Sequence, residues 1–262
     1  MELFTFEKVS FEQFKRDMES HLDGVRQQLK LSRILNNRLY PSYPPQSEEG
    51  ESSSAETWKK FLRDTYDNIK LPCAATNGSA GFDFFMPFDL WMHPGTTITI
   101  PTGIRWVVNA DYNELNFNFT NGDTRISFHA GIHLSIYPRS GLGFKYHLGI
   151  ANTVGIIDED YFKSDNEGHI MIRIHYPMVT DSCNGIPYLL EPLSENKDQR
   201  LIGEARLKYM ESGDMRDPAY KNSKLELERG KGFAQGIVTM YLKNPDFTNQ
   251  EKRNGGFGST GK

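Results

Sequence analysis

Residues 125–138 read RISFHAGIHLSIYP, and their pattern decides which fold the chain can adopt. Apolar and polar residues alternate, so a strand here would turn one row of side chains to a core and the other row away from it. The β-branched and aromatic content agrees. Four more segments share this texture: TTITIPTGIRWVV (96–108), ELNFNFT (114–120), GHIMIRIHYP (168–177) and GIVTMYL (236–242). Gly, Pro, Asn and Asp lie between them. Many short strands punctuated by turn residues predict an all-β sandwich or jelly roll, not alternating strand and helix units.

The flanks read differently. Phe11, Phe14, Met18, Leu22, Val25 and Leu29 recur in steps of three and four, which predicts a helix over residues 10–39. Ser10 with Gln13 forms a capping box at its start. Tyr40–Glu56, rich in Pro, Ser and Glu, is expected to be a linker or loose loop. A short helix should follow over residues 57–66, with Trp58, Phe61 and Leu62 on its apolar side. Residues 178–229 look like a mixed insertion between strands, with a helix over 197–210. The expected division is therefore an N-terminal helical extension and linker (1–68) and a β domain (69–262).

Composition narrows the function. The 262 residues are 37% hydrophobic and 24% charged, with a net charge of −4. That balance argues against binding nucleic acid by neutralising phosphates. No run approaches eighteen apolar residues, so no membrane span is predicted. The first residues do not pattern as a signal peptide. Two cysteines, Cys73 and Cys183, do not make a disulfide framework, and a reducing cytoplasmic setting is expected, in a host cell if the source is viral.

Five short stretches carry the chemistry: GSAGFDFFMP (78–87), YPRSGLGFKY (137–146), GIANTVGIIDEDYF (149–162), GKGFAQGIV (230–238) and RNGGFGSTGK (253–262). Singly, each has a plain structural explanation, as a turn, a strand end or a capping aspartate. Residues 256–262 also fit the spacing of a phosphate-binding P-loop. However, no buried strand precedes them and no helix is expected to follow, as that motif requires. His129 and His133 sit four apart in HAGIH, but on a predicted strand, where satisfied or exposed histidines are expected instead of a zinc site.

As an ordered set, the five stretches resemble the five motifs of the trimeric deoxyuridine triphosphatases (dUTPases). That family's pattern runs A-G-x-D, P-R-S-G-L, G-x-I-D-x-D-Y, A-Q and a terminal G-G-F-G-S-T-G. The resemblance covers residues 69–178 and 225–262. It implies a distorted jelly-roll or β-barrel homotrimer, with each site shared between subunits, that hydrolyses dUTP to dUMP and pyrophosphate and so limits uracil entry into DNA.

By the same resemblance, Asp158 would be the base that takes a proton from the attacking water. Arg139, Ser140 and Gly141 would hydrogen-bond the phosphates. Asp83 would orient Arg139 or a metal-bound water, and Gln235 would hold phosphate or the catalytic water. Tyr161 would lie under the deoxyribose and leave no room for a 2′-hydroxyl. Asn152, the backbone of Gly155, Ile156 and Ile157, and Met171 would border the uracil, rejecting cytosine through unpaired polar groups. Phe257 would stack on the base, with Gly258, Ser259 and Thr260 closing over the phosphates as a lid. Magnesium would be held through phosphates and waters, with no direct protein ligand.

Three departures stand out. The family places Arg or Lys two residues before the alanine of its fourth motif, where this chain has Gly232, with Lys231 beside it. Counting back from Gly255 puts Lys252 at the place of the arginine that meets the γ-phosphate, with Arg253 one step late, and either could reach it. After Tyr161 the turn FKSDNEG is longer than the family's. Two other functions fit the same fold: a dCTP deaminase relative, and a regulatory protein that binds a protein partner through residues 178–229.

Overall fold

Strand β5 (Thr96–Val108) changes partner halfway along. Its first half pairs antiparallel with β10 (His169–Tyr176) and its second half with β1 (Phe4–Lys8). The computed structural model describes residues 3–21, 48–109, 115–121, 124–180, 187–192, 205–209 and 225–243. In it, β8 (Gly149–Ile150) completes a four-stranded sheet in the order β1-β5-β10-β8. The register jumps where His169 faces Arg105 and Met171 faces Pro101, two steps along β10 against four along β5. Pro101 brings no amide to the ladder, and Gly103 sits at φ +73°, so this bulge has a local cause. A Cβ on Gly103 would stand 2.2 Å from Ile69 Cδ1, which leaves glycine as the residue that fits.

The second large sheet runs β2 (Cys73–Ala74), β3 (Gly81–Phe85), β15 (Gly232–Lys243), β7 (Thr124–Pro138) and β6 (Leu115–Asn121). Strand β9 (Gly155–Asp158) pairs with the later half of β7. The alternation in β7 resolves as expected: Ala130, Ile132, Leu134 and Ile136 are buried. The two sheets enclose one apolar cluster. Across it, Phe4 and Phe6 of β1 meet Phe82 and Phe84 of β3 at ring separations of 5.4 to 5.8 Å. The architecture is thus mostly β, two antiparallel sheets packed face to face. Smaller sheets are β4 (Leu90–Met92) with β14 (Leu225–Leu227), and β11 (Val179–Thr180), β12 (Pro187–Pro192) and β13 (Ala205–Tyr209).

The N-terminal segment contributes a strand as well as helices. Beyond β1, residues 11–21 form helix α1, whose Phe14 and Met18 are buried in the same cluster as the strands. The expected helix continues to residue 39, but 22–39 lie outside the described residues. Ser10 Oγ accepts the Gln13 amide at 3.1 Å, half of a capping box. Gln13 does not supply the other half, because its side chain turns to Asp17 at 2.8 Å. Glu167, distant in sequence, takes that role and accepts from the Ser10 amide at 2.7 Å.

Two expectations are corrected. Helix α2 (Glu48–Asp67) begins inside the stretch read as a linker, because beyond Pro45 only Gly50 interrupts residues compatible with a helix. Its Trp58 and Leu62 are buried, as their spacing predicts. Within the expected 197–210 helix, Ala205–Tyr209 is strand β13, paired with β12. Pairing with a neighbouring strand has overridden local propensity there. Among the described residues, no helix is long and apolar enough to cross a membrane.

Candidate active site

Three of the expected phosphate-site residues meet through strand register. Asp83 on β3 faces Gln235 on β15, and Gln235 faces Tyr137 on β7, so the row ends two residues before Arg139. Arg139 Nε reaches Asp83 Oδ1 at 3.2 Å, with the carboxylate largely shielded and the guanidinium half-exposed. The Gln235 amide donates to Pro138 O at 3.4 Å. Ser140 and Gly141 open the short helix α3 (Ser140–Tyr146), with Arg139 at its cap. A Cβ on Gly141 would meet nothing within 4 Å, so its backbone is open to close approach.

Gly232 explains one departure from the family pattern. A Cβ there would stand 2.6 Å from Arg139 Nη1 and 3.1 Å from its Cδ. The guanidinium occupies the space that a side chain at this place would fill. Lys231 is displaced to the surface, 4.0 Å from Glu228. A cavity of about 200 Å³ lies next to Gly232, lined by Met86, Leu142, Leu227 and Phe233 among others. None of the expected site residues lines it.

Of the expected uracil-side residues, Asn152 lies in the turn that joins β8 to β9, Gly155, Ile156 and Ile157 lie on β9, and Met171 lies on β10. Val154 N–H bonds Asn152 O at 2.7 Å, a three-residue γ-turn with Thr153 at φ +67° in its centre. A β-branched residue at that angle is strained, and such strain persists only where surroundings enforce it. Ala151 N–H bonds Arg173 O at 2.8 Å, which lays the turn beside β10 two residues from Met171. Gly155 faces Ile136, and a Cβ on it would come within 3.2 Å of Ile136 Cβ. Ile157 points into the core, whereas Ile156 is 52% exposed.

Asp158, half-buried, ends β9 opposite His133. The same face carries Thr239, opposite His133 on β15, and then Tyr241, whose ring lies 5.8 Å from that of His133. Burial and the charges of Glu159, Asp158 and Asp160 push the Tyr241 phenol up to about 12, so it remains protonated at neutral pH. Lys243 pairs with Glu159, which also accepts from the Ile132 amide.

Tyr161 is 3% exposed and belongs to the core. Its hydroxyl donates to His169 O at 3.2 Å and accepts from Asn166 Nδ2 at 2.8 Å. The structure thus brings Asp83, Arg139 and Gln235 together, but it does not bring Asp158 to them. Gln235 and Thr239 mark rows four residues apart, about 13 Å at strand rise, and β3 and β9 are three strand spacings apart, about 14 Å. The separation within one chain is therefore roughly 20 Å. Lys252, Arg253, Phe257, Gly258, Ser259 and Thr260 lie outside the described residues. Among the described residues, no group of three or more His, Cys, Asp or Glu is arranged to hold a metal ion.

Sequence reasoning missed the Asp17–His169 pair beneath Tyr161 and the Lys243–Glu159 pair beside Asp158. Both join positions far apart in the chain. One signal was available: Gln13 and Asp17 are polar residues beside Phe14 and Met18 on the helical stripe, where an unpartnered carboxylate would be costly.

No protein-family model matches the chain. It is similar to the deoxyuridine 5′-triphosphate nucleotidohydrolase of Blochmanniella pennsylvanica, 41% identical over 98 residues, 37% of this chain and 53% of that protein. The protein of the same name from Desulfitobacterium hafniense is 35% identical over 107 residues, 40% and 55% of the two chains. The chain thus spans about half the length of these relatives. The Lactococcus lactis protein of that name is 26% identical over 196 residues, 74% of this chain and 89% of that protein. Among solved structures, a dUTPase from Streptococcus mutans matches with TM-score 0.40 and 20% identity, over 68% of this chain and 90% of that one. A dUTPase from phage phi11 of S. aureus matches with TM-score 0.39 and 19% identity, over 74% and 94%.

Proposed function

Because the chain belongs to the dUTPase family, we propose that it hydrolyses dUTP to dUMP and pyrophosphate, by in-line attack of water on the α-phosphorus. The carrying observation is that Asp83, in one row with Gln235, holds Arg139 with its guanidinium half-exposed. A guanidinium fixed by a carboxylate donates to phosphate oxygens without reorganising, which suits charge that develops as the α–β bond breaks. The Ser140 hydroxyl and the open Gly141 amide extend this donor set.

Asp158 takes the proton of the attacking water, and the bond between the α-phosphorus and its bridging oxygen breaks toward pyrophosphate. A base must stand within hydrogen-bond reach of that water, directly or through one more water. Roughly 20 Å within one chain is too far for Asp158 to serve the phosphates held by its own Arg139. The separation therefore favours sites assembled between copies, in a homotrimer. Ile156, Met240 and Leu242, which are 52%, 53% and 70% exposed, give apolar surface for such an assembly.

On the base side, Asn152, the backbone of Gly155 to Ile157, and Met171 border the uracil. Tyr161 is a fixed wall against the 2′-hydroxyl of a ribonucleotide. The tail supplies Lys252 or Arg253 to the γ-phosphate, Phe257 to the base, and Gly258, Ser259 and Thr260 to the phosphate chain. The Asp83 carboxylate and the Gln235 carbonyl are oxygen acceptors suited to the water shell of a magnesium ion, so these residues fit it. When bound to the phosphates, that ion supplies charge neutralisation.

The test is a nucleotide panel of dUTP, UTP, dCTP and dTTP with Mg²⁺, assayed for pyrophosphate and for ammonia. Pyrophosphate from dUTP alone is expected. Ammonia from dCTP would favour a deaminase, and no product from any nucleotide would favour a purely regulatory protein.

A further inference from the structure

Two segments that the family pattern leaves unexplained, helix α1 and the lengthened turn after Tyr161, meet each other. They meet at two points. The Ser10 amide and hydroxyl donate to Glu167 at 2.7 and 2.6 Å. Two turns on, Asp17 Oδ2 lies 2.5 Å from His169 Nδ1. The points are seven residues apart on the helix, about 10 Å, while Glu167 and His169 are two residues apart where the turn enters β10, so the helix holds that end of the loop at two points instead of one.

His169 is fully buried, and both ring nitrogens are engaged. Nε2 accepts the Gly103 amide at 2.7 Å, which leaves Nδ1–H to donate to Asp17. The Asp17 carboxylate is fixed in turn by Gln13 Nε2, and Gln13 is itself buried. The backbone carbonyl of this locked histidine accepts the Tyr161 hydroxyl. Asn166, inside the lengthened turn, donates to the same hydroxyl, and its Oδ1 accepts from the Gly168 amide at 3.1 Å.

A buried pair of this kind is weak evidence for stability, since apolar residues of similar volume often stabilise as well or better. What it fixes is orientation. We propose that Asp17 and His169 are positioning residues for Tyr161, so that helix α1 sets the discrimination between dUTP and UTP. This rests on the reading above that Tyr161 borders the sugar. A wall excludes one hydroxyl only while it cannot yield by a fraction of an ångström, and here it is held through both its hydroxyl and its loop.

The experiment compares kcat/KM for dUTP and UTP in the full chain, Asp17→Ala and Asp17→Asn, with amide hydrogen exchange over residues 161–169 as a second readout. Asp17→Ala is expected to lower the dUTP:UTP ratio about tenfold and to speed exchange in that loop by a similar factor. Asp17→Asn keeps an acceptor for the His169 Nδ1–H and should retain most of the selectivity. Should Asp17→Ala fail to fold, Glu167→Ala releases only the outer point and should give a smaller change in the same direction. An unchanged ratio in a folded variant would overturn the proposal and mark the pair as purely structural. A wild-type chain that turns over neither nucleotide would overturn the dUTPase reading and the selectivity claim with it. Exchange would then still decide whether Asp17 positions the Tyr161 loop, and unchanged rates would overturn that as well.

Discussion

Gly232 leaves the space that Arg139 fills: a Cβ on the glycine would stand 2.6 Å from the guanidinium Nη1. The arginine side chain is the part that must move, because Gly232 is held in β15 opposite Phe85. Moving it strains the 3.2 Å contact to Asp83 and withdraws the donor that the phosphates need. Gly232→Ala should therefore lower kcat/KM for dUTP by about ten- to a hundredfold, the scale on which small misplacements at a site are felt. Its melting temperature should stay close to wild type, since half-exposed Arg139 contributes little to the core.

Assembly between copies makes a prediction that a one-chain site does not. Arg139→Ala and Asp158→Asn should each be nearly inactive alone. Mixed and reassembled, they should recover part of the wild-type rate, because some sites would draw an intact Arg139 from one copy and an intact Asp158 from another. Recovery is read as pyrophosphate released per total protein. No recovery in demonstrably mixed oligomers would place the two residues in one chain's site.

Phe14 of α1 is fully buried among β residues, which makes the helix part of the core. Phe14→Ala should destabilise the protein by about 3–5 kcal/mol, the usual cost of emptying such a site. Chemical denaturation measures it directly. A change below about 1 kcal/mol would mean that the helix only rests on the fold.

Asp17 gives the fold an acid-sensitive contact. Burial raises its pKa, but hydrogen bonds from His169 and Gln13, with the nearby charge of His21, outweigh that, leaving it below the ordinary value of 3.8. A depressed carboxylate contributes stability that is fully present above its unfolded pKa and is lost as pH falls through the folded one. Denaturation midpoints should therefore drop as pH falls below 3.8, and Asp17→Asn should flatten that part of the profile. An identical acid profile in the variant would show that Asp17 does not set this acid sensitivity.

The parts legible in the sequence were those written locally. TTITIPTGIRWVV is β5 from end to end, and the alternation of RISFHAGIHLSIYP puts Ile132 and Leu134 in the core. The order of the motifs named their residues. What periodicity does not carry is register. Nothing local says that Asp83, Gln235 and Tyr137 share one row, or that Asp158 lies four residues along the sheet from it. The same holds for Ala205–Tyr209, helical by composition but held as a strand by pairing with β12. Glu167 completes the cap of α1 from far along the chain, where a local capping box would have used Gln13.

The chain is proposed to release pyrophosphate from dUTP with Asp158 as the base. The direct measurement is pyrophosphate release from dUTP with Mg²⁺, wild type beside Asp158→Asn, with dUTP binding checked in both. The expected result is one pyrophosphate per dUMP from the wild type, and a kcat lower by about 10²–10⁴ in a variant that still binds dUTP. A silent wild type, or a variant with wild-type turnover, would contradict it.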